Sequence, residues 1–186
     1  MRVFVMVSGL PASGKTTLAA ALAHQLQLPH LDKDYFLEGL FSRDDPPSLE
    51  GRAKLSREAD AAFRAAALRS GAAVLSSWWQ HPLSKKTSGT STDWLLHGQR
   101  PLVEIHCQCP ASIALRRFID RKRHESHADE LRNRRELEQQ FAEAAALGPL
   151  FPDRAISIST VSRIEQPAVQ DLASRLSEHV SARRDA

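Results

Sequence analysis

The stretch "VFVMVSGLPASGKTTLAAAL", residues 3–22, constrains this chain more than any other. Its apolar opening does not alternate and reads as a strand buried on both faces, and Leu18, Leu22 and Leu26 then recur at helical spacing. Between strand and helix stands G-x-x-x-x-G-K-T, with Gly9, Gly14, Lys15 and Thr16 in the fixed positions. Glycine at both ends lets the loop curl until successive N–H groups point inward, and the helix N-terminus adds positive potential where an anion would sit. The loop residues Gly9, Pro11, Ala12, Ser13 and Gly14 are therefore expected to cradle the phosphates of ATP. Lys15 is expected to reach the β- and γ-phosphates, Thr16 to offer its hydroxyl to Mg2+, and Thr17 to add a weaker phosphate bond.

Further along, strand-like runs alternate with helical ones. "LPHLD", "AAVLSSWW", "LVEIHCQC" and "AISIST" read as strands. "KDYFLEGLF", "RAKLSREADAAFRAAALRSG", "ASIALRRFIDRKR", residues 128–147 and "PAVQDLASRLSEHV" read as helices. The alternation calls for an α/β domain with a parallel sheet covered on both faces, in one domain over residues 1–186. Ligands in such sheets bind beyond the carboxyl ends of the strands. That rule selects Ser8 to Thr17, Asp32 to Tyr35, Ser76 to His81 and the segment from Cys109.

Composition excludes several classes. No run reaches the eighteen or so apolar residues of a membrane span, and no cleavable leader precedes the first strand, so a cytoplasmic protein without membrane contact is expected. Hydrophobic residues at 42% and charged residues at 25% are the balance of a globular domain, and a net charge of +3 is too small to mark a nucleic-acid surface. Cys107 and Cys109 lie two apart on a strand, too extended to favour a disulfide, and with His106 they form no complete four-ligand zinc site. They read as buried thiols.

A phosphate cradle alone does not separate kinases from GTPases, motors or switches. No guanine-reading N-K-x-D occurs, and the third strand ends in Ser76 and Ser77 where many motors carry an acid. "HLDKDYF" places two carboxylates after the second strand. Asp34 is read as the base facing an acceptor hydroxyl and Asp32 as a magnesium ligand with Thr16, the bland alternative for both being helix capping. "LRRFIDRKRHESHADELRNRRE" concentrates arginines: Arg117 and Arg121 stand four apart on one expected helical face, with Arg123 beyond. These groups suit phosphate oxygens, with Arg117 and Arg121 stabilising the transferring phosphoryl and Arg123 holding nucleotide. All three tryptophans fall at residues 78, 79 and 94. With Asp34, Tyr35 and His81, Trp78 and Trp79 are expected to wall the acceptor pocket, one tryptophan of the adjacent pair turning into the core.

"GLPASGKTTLA" followed by "HLDKDY" resembles the small P-loop kinases that include the kinase part of polynucleotide kinases, chloramphenicol phosphotransferase, zeta toxins and gluconate kinases. The resemblance implies a P-loop NTPase three-layer sandwich, a five-stranded parallel sheet in order 2-3-1-4-5, and an arginine-bearing lid at about residues 117–135. It implies an ATP- and Mg2+-dependent kinase with Asp34 in the catalytic position. Two departures stand out. The arginine that follows the catalytic Asp in polynucleotide kinases is replaced by Tyr35, Phe36 and Leu37, and Ser76 stands where an acid would help hold magnesium. The expected acceptor is therefore a small molecule rather than nucleic acid, with a 5′-hydroxyl nucleic-acid kinase or a nucleotide-dependent switch as the alternatives.

Overall fold

The computed structural model describes residues 3–41, 48–85, 88–98, 100–122, 124–127 and 132–182. Five parallel strands, β1 (Phe4–Gly9), β2 (His30–Asp32), β3 (Ala73–Ser76), β4 (Leu102–Gln108) and β5 (Ala155–Ser159), form one sheet in the order β2-β3-β1-β4-β5. The expected order holds. β1 lies in the middle because it is the strand buried on both faces, and only a central strand keeps both rows of side chains from water.

Its alternation divides the core. Val3, Val5 and Val7 pack with Leu18 and Leu22 of α1 (Lys15–Leu26) and Leu172 and Leu176 of α7 (Gln166–Ala182). Phe4 and Met6 face the other way, onto Phe63 of α3 (Leu49–Ser70), Leu75 and Trp79. A third cluster joins Leu10 and Cys109 to Phe118 of α5 (Ala111–Asp120) and Phe141 of α6 (Arg134–Leu147), seating the phosphate loop on that helix pair. Cys107 and Cys109 are buried free thiols, and burial pushes the Cys107 thiol up to about 12. No helix among the described residues is long and apolar enough to cross a membrane.

Several boundaries differ from the sequence reading. β3 ends at Ser76 rather than running through Trp79, because the chain turns there to pair Trp79 with Thr90. α3 starts earlier, capped by the Ser48 side chain, which accepts from Gly51 N at 2.9 Å. Its buried stripe runs Ala59, Phe63, Ala67. α5 stops at Asp120, so Arg121 lies past the helix end and not on a shared helical face with Arg117. α6 begins at Arg134 rather than 128, where Asn133 accepts from the N–H groups of Arg135 and Glu136. Among the described residues, the expected lid starts on α5 itself, includes a 3-10 turn at Glu125–His127, and ends on α6. Arg123 lies outside the described residues.

Candidate active site

The loop between β1 and α1 adopts the conformation its glycines permit. Gly9 and Gly14 have φ of +127° and +101°, and Ala12 between them sits in the left-handed region at +57°. A Cβ on Gly9 would stand 2.7 Å from the Cys107 carbonyl oxygen, so this position excludes any side chain on steric as well as dihedral grounds. Ser13 N donates to Leu10 O at 3.1 Å, closing the turn. Lys15 is half-buried with its ammonium on Leu10 O at 2.8 Å, and burial is the main cause that lowers it to about 8.

Across from the loop, Asp32 ends β2 and caps α2 (Lys33–Leu40). Its Oδ1 accepts from Asp34 N at 2.9 Å, while its Oδ2 accepts from Thr16 Oγ1 at 2.7 Å and from Ser76 Oγ at 2.9 Å. The capping and metal readings of Asp32 are therefore compatible, since one carboxylate oxygen serves each. Asp32 is the register partner of Ser76 on the neighbouring strand. Asp32 thus stands one strand over from the β3 position at which the sequence lacks an acid. A hydroxyl and a carboxylate in hydrogen-bond contact form an oxygen donor set that suits a hard divalent cation such as Mg2+.

Lys33 is buried and turned away from Asp34, donating to Asp60 Oδ2 at 2.9 Å and Ser56 Oγ at 2.8 Å. Burial lowers its ammonium, and the Asp60 carboxylate opposes that. Asp60 Oδ1 accepts from Thr90 Oγ1 at 2.7 Å, and Thr90 shares a 2.6 Å bond with Ser77. This chain ties α2, α3 and the β3 loop together directly under the carboxylates.

Lys15, Thr16, Thr17, Asp32, Asp34, Trp78, Arg117 and Arg121 line one chamber of about 420 Å³. Arg117 donates to the carbonyl oxygens of Thr160, at 2.9 Å, and Val161, which fixes the loop after β5 beside Gly14. Arg52 and Arg132 also line the chamber. Sequence reading missed them: nothing local distinguishes Arg52, on the long α3, from a solvated arginine, and Arg132 stands in the bend before α6.

The expected acceptor residues are not all brought together. Asp34 and Trp78 share the chamber, but Tyr35 is 77% exposed and lines neither it nor the neighbouring cavity. Trp79 is the tryptophan that turns inward, 4% exposed, with its Nε1 donating to Val7 O at 2.9 Å and its ring 5.9 Å from Phe63. Trp94, 6.0 Å from Phe4 and 6.3 Å from Phe63, is a packing residue rather than a pocket wall. His81 has both nitrogens engaged, Nδ1 accepting from Leu83 N and Nε2 facing Pro149 O, each at 3.1 Å. Its imidazole holds its own loop, and it lines the cavity beside the chamber together with Trp78 and Trp79.

Solved structures share this architecture. The "putative kinase" of Chloroflexus aurantiacus j-10-fl superposes with a TM-score of 0.72 at 24% identity, over 93% of this chain and 97% of that one. Shikimate kinase from Bacteroides thetaiotaomicron gives 0.62 at 19% identity, covering 96% and 98%, and a gluconokinase from Sinorhizobium meliloti 1021 gives 0.57 at 16%, covering 98% and 97%. No curated protein sequence matches the chain. The AAA_33 family model, described as an AAA domain, matches residues 4–147, a span from the first strand through the end of α6 that takes in the whole phosphate loop, both aspartates and the arginine segment. This protein therefore belongs to the AAA_33 family of AAA domains and has the P-loop kinase fold.

Proposed function

We propose that this protein transfers the γ-phosphoryl group of ATP to a hydroxyl of a small molecule. The observation that carries the reading is the convergence of Lys15, Thr16, Asp32, Asp34 and Arg121 on a single chamber. The loop N–H groups and the α1 N-terminus bind the phosphate chain. Lys15 and Arg121 take up charge on the phosphoryl in flight, which stabilises the transition state more than the ground state. Thr16 and Asp32 would hold Mg2+, which when bound supplies charge neutralisation across the β- and γ-phosphates. The γ-phosphorus loses its bond to the bridging oxygen and gains one to the acceptor oxygen, and the acceptor's proton passes to Asp34. The shikimate kinase and gluconokinase named above share the fold, which supports a small-molecule acceptor here.

The test is ADP release from ATP across a panel of small alcohols, sugars and hydroxy acids. Acceptor-stimulated release that disappears in Lys15→Ala and Asp34→Asn is the expected result. Label transfer to the 5′-hydroxyl of single-stranded oligonucleotides, with binding that weakens steeply as salt rises, would instead assign a nucleic-acid kinase. ATP hydrolysis indifferent to every acceptor would favour a switch.

A further inference from the structure

A second cavity of about 200 Å³ lies against the phosphate loop, lined by Gly9, Leu10 and the ends of β4 and α6, and it shares Trp78, Ser88 and Gln140 with the phosphate chamber. Its polar feature was not singled out by the sequence. Glu104 and His106 stand two apart on β4 and so share a face, and Ser8 is the register partner of His106 on β1. Glu104 is fully buried. Its carboxylate accepts from Leu150 N at 2.9 Å, Phe151 N at 2.7 Å and the Ser8 hydroxyl.

That arrangement fixes the histidine tautomer. Ser8 spends its only proton on Glu104, so its oxygen must accept at the 2.9 Å contact with His106 Nδ1, which therefore carries the ring proton. Burial lowers the His106 pKa, with His81 and Lys15 acting in the same sense and Glu104 opposing, which keeps the ring neutral at pH 7. A neutral ring protonated on Nδ1 leaves Nε2 as a bare acceptor, on a residue that lines the cavity. The surrounding wall mixes apolar Leu10, Cys107, Cys109 and Leu150 with polar Ser84, Gln108 and Gln140, while the exposed Glu143 receives a 2.7 Å bond from Gln139.

We propose that this cavity is a subsite for an uncharged, ring-sized group bearing one O–H or N–H donor, which His106 Nε2 accepts. The proposal rests on the kinase reading in one respect: the group is the end of the acceptor remote from the transferred phosphoryl. The shared walls with the phosphate chamber allow one molecule to reach both spaces, and Trp78 at the junction offers a ring face for stacking. An anionic group there would lose its hydration with no lysine or arginine among the described residues of the wall to meet it, and the carboxylate of Glu143 is exposed and already accepts from Gln139.

The test uses phenol and anisole, which differ by the single donor, on the full-length chain labelled with 15N. Phenol is expected to bind about tenfold more tightly than anisole and to shift the Nε2 resonance of His106, because a buried acceptor is left unmet by the ether. His106→Phe is expected to abolish that discrimination. Equal binding of the two probes, or phenol binding with no change at His106, overturns the proposal, and the wild-type resonance decides this even if the variant fails to fold. ATP added to the phenol complex should leave phenol bound; displacement of phenol by ATP overturns the assignment to the acceptor end. Equal binding of the two probes by a wild type that still binds ATP sinks only the subsite, whereas failure of the wild type to bind ATP sinks the kinase reading and leaves the phenol result to be judged alone.

Discussion

The two cavities on either side of the phosphate loop are built from different chemistry. The phosphate chamber holds its charged groups within reach of one another: Lys15, Arg117 and Arg121 on one side, Asp32 and Asp34 on the other, above the Lys33–Asp60 ion pair. The second cavity has no lysine, arginine or aspartate among the described residues that line it: Glu104 lies wholly buried behind it, Glu143 is exposed, and His106 presents a neutral imidazole. The difference lies in what each would do to a ligand. Fixed charges arranged around a polyanion stabilise a change in charge distribution, which is what phosphoryl transfer requires. A single oriented acceptor distinguishes one neutral group from another and does nothing to a barrier.

If that contrast is right, substitutions in the chamber change turnover and substitutions behind the cavity change stability or selectivity. Lys15→Ala should produce the largest effect, a loss of at least about a thousandfold in turnover with unchanged circular dichroism, since the ammonium bonds the loop carbonyl of Leu10 at the chamber wall rather than packing in the core. Asp34→Asn should lower turnover by about two to four orders of magnitude while ATP affinity stays within a few-fold, the pattern for a group that acts in the chemical step. Near-normal kcat in either variant breaks the chamber side of the comparison.

On the cavity side, Glu104→Gln should cost stability by about 1–3 kcal/mol, measured by urea denaturation, because the amide places a donor among groups that already donate. A Glu104→Gln protein as stable as the wild type would mean that the carboxylate is not the anchor of the relay.

Lys15 supplies a pH test. In the free protein its ammonium titrates at about 8, against 10.5 unperturbed, whereas bound phosphates require it charged. ATP affinity is therefore expected to fall as pH rises above about 8, by up to about tenfold per unit until the bound state itself titrates. Stability of the free protein should move the other way. Between pH 8 and 10.5 the unfolded chain holds a proton that the folded chain has released, so stability rises with pH over that window. Calorimetry in buffers of different ionisation enthalpy at pH 8.5 should register proton uptake on ATP binding. The smallest effect is expected from Asp32→Asn. Asparagine still caps α2, so the fold should hold while the Mg2+ concentration needed for half-maximal turnover rises; a fall in thermal stability without that rise would make Asp32 a cap alone.

The unbroken apolar strand, the two glycines and the lysine after them fixed the centre of the sheet and the phosphate cradle from local sequence. These features are legible because buried parallel strands cannot alternate, and because only glycine tolerates a φ of +127° beside a carbonyl 2.7 Å away. The aspartates were legible as a pair, but not the bonding of Asp32. That depends on Ser76 lying beside Asp32 across the β2–β3 ladder, a neighbour 44 residues distant in the chain. The tryptophans show the limit of proximity in sequence: Trp78 and Trp79 are adjacent, yet only Trp78 borders the chamber, while Trp79 packs on Val7 and Phe63 and reaches only the second cavity. Glu104 left a trace, a charge in the middle of "LVEIHC", but its meaning required Ser8 and the backbone of Leu150 and Phe151 to arrive around it. Sequence alone determined the elements whose cause is local: backbone freedom at glycine, side-chain period, and the burial pattern of a central strand. Tertiary structure decided which polar groups meet, because a hydrogen bond spans only about 3 Å and its partners come from strands and loops far apart in the chain.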